Sequence, residues 1–118
     1  MPALVESNII GVMVYVKQLK EASDWYCSKL GFELGAYEED DFAELMIDDS
    51  YVMHLFRDDN CMPYARAAFT FSTDNIAYTH GVLKRRGVQV EPILTYSDDH
   101  QSFVFRDCEG NALMVSQF

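Results

Sequence analysis

The chain has 118 residues, 49 % of them apolar and 14 % aromatic. That suits one domain, or two small modules sharing a core, and argues against disorder. Nineteen acidic residues against nine basic ones give a net charge of −10, which disfavours nucleic acid and anionic membrane surfaces, both held chiefly through Lys and Arg.

No apolar run approaches the ~20 residues needed to cross a bilayer. The opening MPALVESNII lacks the charged start and apolar stretch of a signal peptide. Cys27, Cys61 and Cys108 are widely spaced and odd in number, so free thiols in a cytoplasmic protein are expected.

In chain order, IIGVMVYV (Ile9–Val16) reads as an apolar strand. QLKEASDWYCSKLG follows as a helix, with Leu19, Ala22, Tyr26 and Leu30 forming its stripe and Gly31 at its end. Trp25 on this helix is expected under the sheet or at a subunit interface. FELGAY, DFAELMID and SYVMHLF are three short strands between turns. CMPY (Cys61–Tyr64) reads as a linker.

The second half replays this order. ARAAFTFST (Ala65–Thr73) is predicted as a strand. DNIAYTHGVLKRRG is predicted as a helix with Asp74 as N-cap, Ile76, Thr79 and Leu83 as its stripe, and Gly87 as its stop. Gly81 in mid-helix points either to close packing there or to a shorter helix, and His80 is read as a surface residue. VQVEPI, which Pro92 limits to an edge or a short piece, SFVFRD and NALMVSQF are strand-like, with DCEGN (Asp107–Asn111) as a turn. LTYSDDHQ, which carries Tyr96 and His100, reads as a long loop, either mobile in solvent or able to close over a cleft. The acidic clusters Glu38–Asp41, Asp48–Asp49, Asp58–Asp59 and Asp98–Asp99 all fall at expected turns. The pattern is two βαβββ units, module 1 over about residues 8–60 and module 2 over about 64–118, in one α+β domain.

The stretch VYVKQLKEASDWYCSKLGFEL and the closing FRDCEGNALMVSQ resemble the vicinal oxygen chelate superfamily, which groups glyoxalases, bleomycin-resistance proteins and extradiol dioxygenases. Cys108 stands where proline is usual in the closing turn. The resemblance spans nearly the whole chain. It implies two βαβββ modules curled into a U-shaped, partly open mixed-sheet barrel around a cleft, in a domain of the bacterial type that forms a homodimer. In enzymatic members it implies up to four His, Glu or Gln metal ligands, one on the first and one on the last strand of each module.

Carried onto this sequence, the ligand positions fall on Gly11, His54, Ala68 (or its neighbours Ala67 and Phe69) and Met114. Glycine and alanine have no donor, and a thioether is a weak ligand for a hard or borderline divalent ion. One imidazole makes no tight site, since even catalytic zinc uses about three protein ligands. No metal and no cofactor are therefore expected.

Strand parity offers His54 a partner. Ala43, Leu45 and Ile47 should face the helix, leaving Phe42, Glu44 and Met46 on the cleft side. A three-residue turn at Asp48–Ser50 would pair Ile47 with Tyr51, Met46 with Val52, and Glu44 with His54. Tyr51 then joins Met53 and Leu55 on the opposite face. A carboxylate beside the ring would favour imidazolium. Met13 and Tyr15 share the face of Gly11, so Glu44, His54 and Tyr15 are the candidate catalytic groups. Met13, Tyr15, Phe42, Glu44, Met46, His54, Phe56, Arg66 and Met114 are the candidate ligand-binding residues. Arg66 is included by its parity with Ala68.

The expected function is that of a metal-free binding protein that sequesters a small organic ligand, cationic if the acidity is meaningful, in an apolar cleft. This is similar to the bleomycin-resistance branch. The alternative is a metal-independent lyase or isomerase using the Glu44–His54 pair for proton transfer.

Overall fold

The computed structural model describes residues 2–118. Each half forms one four-stranded mixed sheet with a helix on one face. The first unit comprises β1 (Val12–Val16), α1 (Leu19–Trp25), β2 (Glu33–Glu38), β3 (Phe42–Ile47) and β4 (Ser50–Arg57), with sheet order β1-β4-β3-β2. The second comprises β5 (Thr70–Ser72), α2 (Ile76–Arg85), β6 (Leu94–Ser97), β7 (His100–Arg106) and β8 (Ala112–Gln117), in the order β5-β8-β7-β6. In both sheets the first and last strands pair in parallel and the other neighbours are antiparallel. Neither sheet closes on itself.

The repeat extends to the helix ends. Helix α1 widens into a π-helical turn over Tyr26–Leu30 and stops at Gly31, with φ of 84°. Helix α2 stops at Gly87, with φ of 83°. A left-handed residue after the last turn suits glycine because it has no Cβ to clash. All four acidic clusters lie at turns between strands or after β4, and Asp40, Asp48 and Asp49 have positive φ, which Asp tolerates better than most residues.

Several elements differ from the sequence reading. Residues 9–11 precede β1 and are not strand, because Ile9 and Ile10 are more than 80 % exposed and have nothing to pack against. The second module's first strand shrinks to Thr70–Ser72, leaving residues 65–69 irregular. The cap of α2 is Asn75, whose Oδ1 accepts from the Tyr78 amide at 3.1 Å, and Asp74 lies outside. Thr79 leaves the apolar stripe to bond Thr73 at 2.8 Å. Gly81 sits in α2, but a Cβ there would meet only the end of the Arg85 side chain, so packing does not require glycine. VQVEPI, by contrast, is the short piece that Pro92 implies, a bridge between Val90 and Phe105. LTYSDDHQ is a hairpin of β6 and β7 turning at Asp98–Asp99.

The two modules share one core on their helix sides. Val14, Tyr26, Leu45, Leu55, Phe105 and Leu113 are fully buried there. Phe32 packs on Phe71 across the junction, with ring centroids 6.0 Å apart. Lys29 and Arg86 each donate to the other's backbone carbonyl, at 2.7 and 2.8 Å. The strands of one sheet scarcely touch those of the other. Each sheet therefore keeps a face free of helix, and the chain does not fold those two faces against each other.

Candidate ligand-binding face

The helix-free face of the first sheet gathers most of the candidate residues. Val14, Val16, Ala43, Leu45, Met53 and Leu55 are fully buried on the helix side. Strand alternation then sends Met13, Tyr15, Phe42, Glu44, Met46, His54 and Phe56 to the other side. The register agrees: Met13 lies beside His54 and Tyr15 beside Phe56 across the parallel pair, while Phe42 faces Phe56 across the antiparallel one.

Glu44 and His54 are direct cross-strand partners, as parity requires, but the turn that places them is not the expected one. Asp48 and Asp49, with φ of 49° and 64°, make a two-residue turn that pairs Ile47 with Ser50 and Met46 with Tyr51. Positive φ at both central residues is the type I′ signature, and Asp accepts it. A bulge between Leu45 and Met46 then absorbs Val52 and restores Glu44 opposite His54. Tyr51 thereby swaps faces and sits beside His54.

This is the residue that the sequence reading missed. The Tyr51 phenol lies 2.6 Å from His54 Nδ1. Its ring covers Gly11, where a Cβ would come within 2.5 Å of Tyr51 Cε2. Burial, followed by the charge of Glu44, pushes the Tyr51 phenol above its ordinary range. Two signals in the sequence pointed here: the Asp-Asp pair as a two-residue turn, and Gly11 as a close approach.

Around His54 the rings are continuous. His54 stacks on Phe56 with centroids 5.2 Å apart and planes 9° apart. Phe42 and Tyr51 lie 5.5 and 5.1 Å away, and Tyr15 stacks on Phe56 at 6.0 Å. Glu44 bends over Gly35, where a Cβ would meet its Oε1 at 2.6 Å. Among the described residues its carboxylate has no hydrogen-bond or ion-pair partner, and none of its oxygens lies within 4.0 Å of a His54 ring nitrogen. The hydrogen bond that His54 makes is with Tyr51.

The remaining candidates are not brought to this face. Arg66 is exposed in the irregular stretch before β5, so the strand parity that suggested it does not apply. Met114 is half-buried on β8 between Thr70 and Val104, in the other sheet. His80 is half-buried rather than a surface residue: its ring meets Phe103 edge-on at 4.8 Å, and its Nε2 bonds the Glu91 carbonyl at 2.9 Å. Tyr96 and His100 stack at 4.8 Å within their hairpin, and His100 stacks on Phe118 at 4.2 Å.

The pairing Thr70↔Met114 matches Met13↔His54, so Ala68 and Gly11 occupy equivalent places two residues upstream. A divalent ion does not fit this set. Its donors reduce to one imidazole, the Tyr51 ring fills the space above Gly11, and among the described residues no three His, Cys, Asp or Glu side chains gather.

The face is open within the chain. Met13 and Tyr15 are 50 % and 41 % exposed. A cavity of about 460 Å³ lies instead between the modules on the helix side, where Phe32, Phe71 and Leu83 line it.

The family model of the Glyoxalase/Bleomycin resistance protein/Dioxygenase superfamily matches residues 8–115. No curated protein matches the chain. Among solved structures, an integron cassette protein from the mobile metagenome of the Halifax Harbour sewage outfall is similar at 23 % identity and a TM-score of 0.84, over 96 % of this chain and all of that one. A member of the same superfamily from Sphaerobacter thermophilus gives 20 % identity and 0.81, over 96 % and 98 % of the two chains. An antibiotic binding protein from Streptomyces gives 21 % and 0.76, over 98 % of each.

Proposed function

The chain belongs to the Glyoxalase/Bleomycin resistance protein/Dioxygenase superfamily, and we propose that it binds a planar apolar or cationic organic molecule, without a metal, on the helix-free face of its first sheet. The observation that carries this reading is the unbroken series Tyr15, Phe56, His54 and Phe42 beside one unpartnered carboxylate, Glu44. Aromatic faces attract planar and cationic groups, each contact contributing on the order of 1 kcal/mol. A carboxylate at their edge adds preference for positive charge, as does the net charge of −10. The Streptomyces neighbour, an antibiotic binding protein, supports the same class of ligand.

A second copy of the chain supplies the opposite wall in this reading. The sheets do not oppose each other within one chain, and a drug-sized ligand needs most of its surface covered. Pairing the first sheet of one protomer with the second sheet of its partner gives a symmetric homodimer with two clefts. Three free thiols fit a reducing compartment such as the cytoplasm.

The enzymatic alternative requires Glu44 and His54 to share a proton. Their register favours it, but the bond from His54 to Tyr51 weighs against it. A thermal-shift screen tests the binding reading: the cationic tricycle proflavine should raise the Tm, and Glu44→Gln should shrink that rise. A flat response to aromatic cations with stabilisation by acidic metabolites would overturn it. Turnover of any carbonyl substrate that collapses in both Glu44→Gln and His54→Gln would establish the enzyme instead.

A further inference from the structure

We propose that Tyr51 is a positioning residue that fixes His54 as a hydrogen-bond donor through Nε2, so that the site selects planar ligands offering an acceptor oxygen beside an amine. The selection rests on the ligand-binding reading of this face. The tautomer does not.

The placement of Tyr51 is built by three separate features. The two-residue turn at Asp48–Asp49 and the bulge at Val52 turn its side chain to the His54 face. Gly11 leaves the room its ring occupies, since a Cβ there would lie 2.5 Å from Cε2 and 2.6 Å from the phenol oxygen. The phenol oxygen then meets Nδ1 at 2.6 Å. A phenol has one proton to donate. Among the described residues, no acceptor other than Nδ1 lies within hydrogen-bond reach of this one. Burial and the neighbouring carboxylate both oppose loss of that proton. With the phenol donating to Nδ1, the ring proton resides on Nε2.

Nε2 has no partner among the described residues. The ring cannot turn freely to find one, because Phe56 lies parallel to it at 5.2 Å and Phe42 packs beside it. The face therefore presents one oriented donor, His54 Nε2–H, and one acceptor without a protein partner among the described residues, the Glu44 carboxylate. They stand on adjacent strands with Cβ atoms about 5 Å apart. A carbonyl or phenol oxygen satisfies the first and an amine or ammonium satisfies the second. A carboxylate ligand would be repelled by Glu44.

Ring-nitrogen NMR of labelled protein at about pH 8, above the ordinary histidine range, reads the tautomer directly. The wild type should show His54 protonated on Nε2, and Tyr51→Phe should show a mixture of both tautomers. A wild-type proton on Nδ1, or a spectrum unchanged by Tyr51→Phe, would overturn the assignment.

Titration with two probes reads the selection. Acridone carries the carbonyl acceptor, and proflavine carries amines without it. Tyr51→Phe should weaken acridone about fivefold, the loss of one oriented hydrogen bond, and leave proflavine within about twofold. Equal losses, or none, would remove the selectivity. If neither probe binds the wild type, the ligand-binding reading and the selection fall together, while the NMR result still decides the role of Tyr51.

Discussion

The phenol of Tyr26, in the first module, donates to Asp107 Oδ2 in the second at 2.7 Å across 81 residues of chain. Both groups are buried. Asp107 also accepts from the amides of Glu109 and Asn111 and from Asn111 Nδ2, each at 2.9 Å, so this one carboxylate organises the whole closing turn. Removing the phenol leaves a buried carboxylate short of a donor. Tyr26→Phe is expected to lower stability by about 1–3 kcal/mol in urea unfolding.

The same pair sets an alkaline limit. Burial, then the charge of Asp107, holds the Tyr26 phenol well above the usual 10.0. A group raised on folding contributes stability that is whole below its unfolded value. That contribution falls as pH climbs past the unfolded value, and it is lost by the time the folded phenol ionises. Stability should therefore decline above about pH 10, and the decline should be shallower in Tyr26→Phe than in the wild type when urea midpoints are compared across pH.

Glu109 acts across the junction as well. Its two carboxylate oxygens accept from the amides of Lys17 and Gln18 at 2.7 and 2.8 Å. These lie at the start of α1, where Gln18 offers no side-chain cap of its own. A cap supplied from the other module couples the first helix to the closing turn. Glu109→Ala should cost about 1 kcal/mol, and hydrogen exchange at the start of α1 should quicken more than in the core.

Gly11 and Tyr51 compete for one volume. Gly11→Ala should cost about 1–3 kcal/mol and shift the His54 ring resonances, because the Tyr51 ring must move. In Tyr51→Ala the added methyl has room, so the double variant should lose less than the two single losses summed. A double-mutant cycle of thermal or urea unfolding measures that coupling, and strict additivity would show that the ring does not occupy the space.

The open face predicts an association. Tyr15 is 41 % exposed beside the aromatic series, on the wall that a second copy would cover. The wild type should sediment as a dimer at micromolar concentration, and Tyr15→Glu should shift it toward monomer by burying an unpaired charge. A monomeric wild type at all concentrations would count against the shared cleft.

Much of the architecture was legible from local signals. The duplicated order of strands and helices follows from alternation, helical spacing and two glycine stops, because those depend on neighbours a few residues away. The facing of Glu44 and His54 also followed, since a buried face fixes parity. So did the poverty of metal donors at Gly11, Ala68 and Met114, which is a matter of residue chemistry alone. What the tertiary structure decided was how that parity was reached and what His54 touches. A two-residue turn followed by a bulge gives the same pairing as a three-residue turn, yet it moves Tyr51 from one side of the sheet to the other. A one-residue change of register that a bulge cancels leaves the parity beyond it unchanged, so a periodicity of two cannot reveal it. The junction through Tyr26, Asp107 and Glu109 lay equally beyond the sequence, because contacts between residues 81 to 92 positions apart depend on how the modules dock.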